Sequence, residues 1–167
     1  MMDSQYSIRV YKQYFNFACS HFLVFDNGTR EPLHGHNYRV QVQGEAPKLT
    51  HDLVFDFLDI KPIVRKICDN LDHKVLLPKD NPLLKYFSNN NNLEITTPDG
   101  AFFSIPLSDI ILLPLSNTSA ERLAIYLCEQ VREKVWEEYK FRFSNLDIEV
   151  EETPGQSAIY RFKELEN

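Results

Sequence analysis

The sequence lacks an excess of basic residues and any long apolar run, and each absence excludes a class of partner. Its 18 lysines and arginines are outnumbered by 24 aspartates and glutamates, which gives a formal net charge of −6. An acidic protein of this kind offers no electrostatic footprint for nucleic acid. No apolar stretch approaches the roughly 20 residues that a membrane-spanning helix requires. We therefore expect neither nucleic acid nor a membrane as a partner.

Cysteine is also scarce. Cys19, Cys68 and Cys128 are odd in number and far apart in the chain, a spacing that argues against a disulfide framework. The first 15 residues have neither the apolar core nor the small-residue cleavage site of a signal peptide. These absences predict a reducing, cytoplasmic setting. The 167 residues are otherwise of ordinary globular composition, and without a linker or repeat we expect residues 1–167 to form one domain.

Four segments predict strands. Residues 6–25 are rich in β-branched and aromatic side chains and contain neither Gly nor Pro, as is typical of a long strand. After a Gly- and Pro-containing turn, residues 34–45 alternate between apolar and polar, so the two segments predict an antiparallel hairpin. Residues 145–153 and 157–165 predict two more strands around a Pro-Gly turn.

Two segments predict helices. Apolar residues from Ile60 to Leu71 recur at spacings of three and four, with Pro62 tolerable in the first turn. A second helix should run to about Tyr139 after a cap at Asn117, Thr118 or Ser119. We therefore expect an α+β fold in which an antiparallel four-stranded sheet carries two helices on one face. The exposed edges of such a sheet favour an oligomer.

The segment 80–115 breaks the periodicity repeatedly. It contains a tract of four asparagines and the turn sequence Pro-Asp-Gly. These features predict an insert made of a loop and a short hairpin, with strands at 93–97 and 101–105.

Three histidines are candidate metal ligands. His34 and His36 share one face of their strand, because residues i and i+2 point the same way. If the hairpin register brings His21 opposite them, three imidazoles converge with an open fourth position, as in a catalytic zinc site. The alternative is that each histidine is simply a hydrogen-bonded polar residue. Cys19 is either a fourth ligand or, more in keeping with its setting, a small core residue.

Other polar residues admit two interpretations on the sequence alone. Asp72 beside His73 is either a proton-transfer pair or an ordinary helix end. Glu31 is either a general base near the histidines or a solvated turn residue. Glu152 falls on the apolar side of its strand, where it either reaches water or binds a ligand with adjacent N–H groups, such as a pterin or guanine ring.

Six motifs, in this order, carry a family resemblance: FNFACSHFL, LHGHNYRV, VFDFLDIK, LDHK, SAERLAIYL and EETP. Together they resemble the 6-pyruvoyl-tetrahydropterin synthases and the related bacterial 6-carboxytetrahydropterin synthases. The resemblance covers most of the chain outside the 80–115 insert. It implies a T-fold whose subunits form a barrel, assembled as a homohexamer (a dimer of trimers) with active sites between subunits.

The resemblance also implies roles for individual residues and a substrate, 7,8-dihydroneopterin triphosphate. Zinc would be bound by His21, His34 and His36, and the proton relay would be Asp72 with His73. Glu152 would anchor the pterin ring, helped by the segment that contains Thr118, Ser119 and Glu121.

One departure from the family pattern concerns the catalytic base. These synthases normally place a cysteine a few residues before the HGH motif, but residues 26–33 contain none and Glu31 stands there instead. This is similar to variant pterin synthases of malaria parasites and some bacteria, which form 6-hydroxymethyl-7,8-dihydropterin for folate synthesis. The resemblance therefore implies that Glu31 is the base, since a carboxylate differs from a thiolate in basicity and reach.

Four alternatives to this product and activity stay open. The first two are a 6-carboxytetrahydropterin synthase on the route to queuosine, with Cys19 reaching the substrate, and a 6-pyruvoyl-tetrahydropterin synthase. The others are an inactive pterin- or purine-binding paralogue and a metal hydrolase that uses the three histidines to activate water.

Overall fold

The computed structural model describes residues 6–164 and contains one large sheet, one small sheet, two α-helices and a short 3₁₀ helix at Leu107–Asp109. In chain order the elements are β1 (Tyr6–His21), β2 (His34–Ala46), α1 (Phe57–Leu71), β3 (Lys74–Pro78), β4 (Lys85–Asn89), β5 (Asn92–Thr96), β6 (Phe102–Pro106), β7 (Ile110–Leu113), α2 (Ala120–Tyr139), β8 (Asn145–Thr153) and β9 (Gln156–Lys163). Within residues 6–164, neither α-helix combines the length and the apolar character that crossing a bilayer requires.

The predicted hairpin is confirmed. β1 and β2 pair antiparallel, with Val10 opposite Val42 and His21 opposite His34, and a bulge interrupts the register between Tyr11 and Asn16. β8 and β9 continue the sheet beyond β2, so the four predicted strands lie side by side. The predicted last residue of the fourth strand, Leu165, lies outside the described residues.

The expectation that the sheet has four strands is corrected to six. The short strands β3 and β7 extend it beyond β1, giving the order β7-β3-β1-β2-β8-β9, and both new pairings are parallel. Leu76 and Leu77 on β3 are fully buried. A strand buried on both faces loses the alternating pattern that marks a half-buried strand, and its parallel partner is distant in sequence, so local periodicity does not reveal it.

The 80–115 segment contains three small-sheet strands where two were expected. β5 and β6 correspond to the predicted hairpin, and β4 pairs with β5 on its other side. The asparagine tract forms the tight β4–β5 turn, in which Asn90 adopts a positive φ of 53° that asparagine tolerates. This small sheet packs on its own hydrophobic cluster, which includes Phe22 and Val24 from the segment after β1.

The two helices cover one face of the large sheet, as expected. α1 contacts β1, and α2 contacts β8 and β9. Asp56 caps α1 by accepting a hydrogen bond from the Leu58 amide at 2.7 Å, so this helix begins a turn earlier than its apolar pattern suggests. Ser119 is the cap of α2, which decides among the three candidates. The α+β prediction is confirmed, and the core between helices and sheet includes Phe15, Phe17, Tyr38, Ile60, Val64, Leu123 and Leu127.

Candidate functional site

Three histidines converge at the end of the β1–β2 hairpin. His21 closes β1 directly opposite His34, and His36 follows two residues later on the same face of β2. One ring nitrogen of each lies within 4.8 Å of the others. His21 is almost entirely buried, with 1% of its surface exposed, whereas His34 and His36 are partly open. The cluster can therefore hold a metal ion that still faces solvent or substrate on one side.

Two of these rings are oriented by backbone carbonyls. Nδ1 of His21 lies 3.0 Å from the Thr118 carbonyl oxygen, and Nδ1 of His34 lies 2.8 Å from that of Pro32. A carbonyl can only accept, so each Nδ1 carries the proton and leaves the Nε2 lone pair free for a metal. Burial, followed by repulsion from His34, lowers the pKa of His21, which keeps this ring neutral. Neutral imidazoles of fixed tautomer are the donor set that a transition-metal ion requires.

Gly35 permits the close approach of the two histidine-bearing strands. A Cβ at this position would lie 2.9 Å from the Cys19 carbonyl oxygen on β1, closer than such atoms approach in proteins. Any other residue would push β2 away from β1 between its two histidines. The glycine in the motif is therefore required by the packing of the backbone behind the cluster.

The loop of residues 22–33 brings Glu31 to the cluster. Its carboxylate Oε2 lies 3.9 Å from Nε2 of His34. The Glu31 amide donates a 3.0 Å hydrogen bond to the Leu23 carbonyl, which closes the loop on itself. The structure thus places this partly exposed glutamate beside the candidate metal ligands, as its use as a base requires.

Glu152 also faces the histidines. Its Oε1 accepts a 2.8 Å hydrogen bond from the Tyr38 hydroxyl, and it lies 3.5 Å from Nε2 of His36 and 3.9 Å from that of His21. Tyr38 is fully buried and its hydroxyl is 3.1 Å from His21. Sequence reasoning missed this tyrosine as a site residue, although its position two residues after His36 places it on the same face.

Asp72 and His73 form a hydrogen-bonded pair beside the β1 strand of the hairpin. Asp72 caps the end of α1, accepts a 2.7 Å hydrogen bond from the Ala18 amide, and lies 2.7 Å from Nδ1 of His73. Burial disfavours ionisation of Asp72, but the bonds from Ala18 and His73 outweigh it and lower the pKa of this carboxyl. The His73 side chain is 83% exposed, so the pair can exchange protons with a bound molecule.

A cavity of about 480 Å³ lies beside this pair. Its lining includes His73, Ser20 and Asn37 and also His36, so the cavity borders one of the three candidate metal ligands. Among residues 6–164, no hydrogen bond or ion pair links His73 to the three histidines. The structure therefore joins Asp72 to His73 and places His73 on a cavity that also borders His36, without a direct polar contact between His73 and the cluster.

The predicted ligand-binding segment before α2 lies directly behind His21. Thr118 is fully buried, with its hydroxyl donating to the Phe22 carbonyl at 3.2 Å, and its own carbonyl orients His21. Ser119 caps α2 by accepting from the Arg122 amide at 3.4 Å, and Glu121 lies exposed in the first turn. The substrate-binding role of these residues stays a prediction, to which the structure adds a supporting role for Thr118.

Cys19 is placed as a core residue. It lies opposite His36 in the hairpin and is 6% exposed, and burial raises the pKa of its thiol to about 12. A protonated, buried thiol is neither a nucleophile nor a base at neutral pH.

A protein-family model of 6-pyruvoyl tetrahydropterin synthase matches residues 9–163. A protein of Methanocaldococcus jannaschii, provisionally named 6-carboxy-5,6,7,8-tetrahydropterin synthase, is 37% identical over 150 residues, which covers 87% of this chain and 88% of that protein. The chain is also similar in structure to two proteins described as 6-pyruvoyl tetrahydropterin synthases. The crystal structure from Plasmodium vivax has a TM-score of 0.89 at 31% identity, and the structure from Plasmodium falciparum has a TM-score of 0.88 at 33% identity.

Each of these two structural matches covers 96% of this chain and 99% of the other. They confirm the T-fold architecture that the motifs implied. With the family model spanning both the histidine hairpin and the final strands, the chain belongs to the 6-pyruvoyl tetrahydropterin synthase family of pterin-metabolising lyases.

Proposed function

We propose that this protein is a zinc-dependent lyase that converts 7,8-dihydroneopterin triphosphate to 6-hydroxymethyl-7,8-dihydropterin. The observation that carries the proposal is the Glu31 carboxylate, 3.9 Å from His34 in a loop that contains no cysteine. Two solved variants of the P. vivax protein replace a glutamate that is described there as a catalytic residue, one with alanine and one with cysteine. A carboxylate base in this chain would fit the same pattern.

Zinc suits the three-histidine cluster. Three neutral imidazole nitrogens with a remaining open position are the donor set of catalytic zinc. When bound there, the ion would supply Lewis acidity that polarises the hydroxyl oxygens of the substrate side chain. Thr118 and Pro32 would hold two of the ligand rings in place for it through their carbonyl oxygens.

Glu31 would act as the base that starts side-chain cleavage. The proposed product retains only the first side-chain carbon, so the bond between the first and second carbons must break. As the second-carbon hydroxyl loses its proton and the bond breaks, that carbon becomes the aldehyde of the departing fragment, which carries the second and third side-chain carbons and the triphosphate. The bonding pair passes into the pterin ring, and a proton then returns to the first carbon. The Glu31 carboxylate, 3.9 Å from His34, would take the first of these protons if the substrate side chain binds beside the cluster.

Asp72 and His73 would supply protons in an assembled enzyme. Because His73 is exposed and no hydrogen bond or ion pair among the described residues joins it to the three histidines, the pair would serve a site shared with a neighbouring subunit. We infer a homohexameric barrel with sites between subunits, as the family resemblance implies. In such a barrel the edge strands β7 and β9 would pair with the edge strands of neighbouring subunits.

Glu152 would anchor the pterin ring. A carboxylate can accept two parallel N–H hydrogen bonds, and the ring of the substrate presents adjacent N–H groups. Tyr38 already donates to one Glu152 oxygen at 2.8 Å, which fixes the carboxylate before the ligand arrives. Preorganisation of this kind lowers the entropy lost on binding.

Tyr38→Phe is expected to weaken pterin binding about tenfold, because it removes a charge-assisted hydrogen bond and leaves the carboxylate free to rotate. Stacking on Phe17, at a 5.1 Å centroid distance, is retained. Titration of pterin fluorescence would measure the affinity, and metal content would be measured alongside it. Unchanged affinity in Tyr38→Phe, or equal losses in Tyr38→Phe with and without Glu152→Ala, would contradict the coupling.

A second candidate product is 6-carboxytetrahydropterin, favoured by the name and the 37% identity of the M. jannaschii protein. In that reaction Cys19 would have to stand in for the family's cysteine. Cys19→Ala is expected to retain turnover within about twofold, because the thiol is buried and protonated at neutral pH. Steady-state kinetics would test this, and a loss of 100-fold or more in a folded variant would restore the thiol as a participant.

The experiment that tests the proposed function is product identification. The zinc-loaded protein is incubated with 7,8-dihydroneopterin triphosphate, and the pterin products are identified by mass. 6-Hydroxymethyl-7,8-dihydropterin supports the proposal. A 6-carboxy or 6-pyruvoyl product overturns the assigned product, and pterin binding without turnover overturns the assigned activity in favour of a binding paralogue.

A further inference from the structure

The small sheet β4–β6 packs against the loop that carries Glu31. The first residues of this loop, Phe22 and Val24, are buried in one hydrophobic cluster with Leu93 and Ile95 of β5. Phe22 stacks on Phe103 of β6 at a centroid distance of 5.5 Å. The inserted sheet and the start of the loop therefore form one packed unit.

Arg30, the neighbour of Glu31, joins the other end of the loop to the same sheet. Its Nε lies 3.1 Å from a carboxylate oxygen of Asp99, in the β5–β6 turn. Its guanidinium carbon lies 5.2 Å from the centre of the Phe103 ring, within cation–π range. Its Nη1 donates a 2.9 Å hydrogen bond to the carbonyl oxygen of Glu31 itself. With only 17% of its side chain exposed, Arg30 is held from three directions.

Asp99 is held in place by hydrogen bonds within its own turn, independently of Arg30. Its Oδ1 accepts hydrogen bonds from the Thr97 hydroxyl and from the Ala101 amide. The bond from Thr97, with those from Ala101 and Arg30, lowers the pKa of Asp99, so the carboxylate is charged when it pairs. The Arg30 side chain therefore docks on an anion whose position the β5–β6 turn determines.

We propose that the β4–β6 insert positions the catalytic loop, with Arg30 and Asp99 holding the Glu31 carboxylate at its distance from the histidine cluster. Arg30 and Asp99 are positioning residues, because they act through the Glu31 backbone. The inference rests on the proposed function, in which Glu31 is the base. The insert thereby gains a role in the chemistry of this site. The segment that it holds also contains Pro32, whose carbonyl orients His34.

Asp99→Asn tests the Arg30–Asp99 ion pair, which we call the clamp, with the least change of side-chain shape. We expect kcat to fall about tenfold with little change in KM, because displacement of a catalytic group by an ångström or less costs up to about 100-fold, while Glu152 is untouched. Arg30→Lys should likewise lower kcat with little change in KM, since lysine lacks the planar guanidinium that bonds to Asp99 and to the Glu31 carbonyl at the same time. Glu137→Gln, which breaks the exposed pair with Lys134 on α2, is the matched control and should leave kcat unchanged.

Two further readouts separate the clamp from the base. In a Glu31→Gln background, Asp99→Asn should cause no additional loss of kcat, because both act through one group. Hydrogen exchange measured by mass spectrometry should be faster in residues 25–33 of Asp99→Asn and unchanged in β2. If exchange and kcat both match the wild type, the clamp is wrong. If Glu31→Gln keeps full turnover, the proposed base is wrong, and the exchange result alone still decides whether the insert holds the loop.

Discussion

Replacement of Glu31 by glutamine is expected to lower kcat by about 10²–10⁴-fold, the contribution typical of a positioned general base. Glutamine keeps the shape of the side chain and the 3.9 Å approach to His34, but an amide cannot take up a proton at neutral pH. The three ring nitrogens of the cluster belong to other residues, so metal content should not change. Steady-state product formation and elemental analysis of the same preparation measure the two quantities.

Glu138→Gln is the matched control for this prediction. Glu138 is exposed near the end of α2 opposite to its Ser119 cap, so the same chemical change there should leave kcat unaltered. Full turnover in Glu31→Gln would contradict the assignment of Glu31 as the base. The complementary variant, Glu31→Cys, introduces a thiol at the family's usual position and should shift the products towards the 6-pyruvoyl or 6-carboxy type. An unchanged product spectrum would mean that the base does not select the product.

The histidine cluster could be predicted from sequence because its geometry is local. A period of two places His34 and His36 on one face, and the hydrophobic pattern of the two strands restricts the registers that keep their apolar faces on the core. The observed pairing of His21 with His34 is the register that the metal hypothesis required. Helix α1 and the three candidate caps of α2 were accessible for the same reason, since apolar spacing and capping residues act over one or two turns.

The parts that sequence reasoning missed depend on contacts between distant residues. β3 and β7 pair in parallel with partners that lie far away in the chain, and no local pattern encodes such pairing. Arg30 and Asp99 are 69 residues apart and look like two ordinary turn residues until the small sheet is folded. The Thr118 carbonyl was missed as well. It accepts the hydrogen bond from His21 through the backbone, which every residue type provides, so the sequence does not indicate this role.

The orientation of Glu152 depends on a buried partner that the strand pattern does not reveal. On the strand pattern alone, a glutamate at the end of β8 could reach water or face a ligand. The buried Tyr38 hydroxyl needs an acceptor, and the Glu152 carboxylate supplies it at 2.8 Å. The carboxylate is thereby directed towards His36 and His21. The hydrogen bond from Tyr38 offsets part of the cost of placing a charge on the apolar side of this strand, and the ligand-binding role of Glu152 stays a prediction.

Substitution of His34 or His36 by alanine is expected to abolish stoichiometric metal binding. Loss of the outer partners of a metal ligand typically costs 10–100-fold in affinity, so removal of one of three ligands should cost about 100-fold or more. His51→Ala is the matched control, because His51 is exposed in a turn and lies outside the cluster. Metal per chain after dialysis, and competition with a chelator of known affinity, would measure the loss.

The two ligand variants should also differ from each other in a way that reports the geometry. His34 is held by the Pro32 carbonyl at 2.8 Å and is next to Glu31, whereas His36 lies against Glu152. Glu152 lies 3.5 Å from the ring nitrogen of His36, closer than the 3.9 Å between Glu31 and that of His34. It should therefore replace the lost ligand more effectively, so residual metal binding in His36→Ala should be stronger than in His34→Ala. Adding Glu152→Gln to His36→Ala should remove this residual binding. Metal content near one per chain in both single variants would refute the three-histidine site, because no set of two remaining imidazoles retains an ion through dialysis at wild-type affinity.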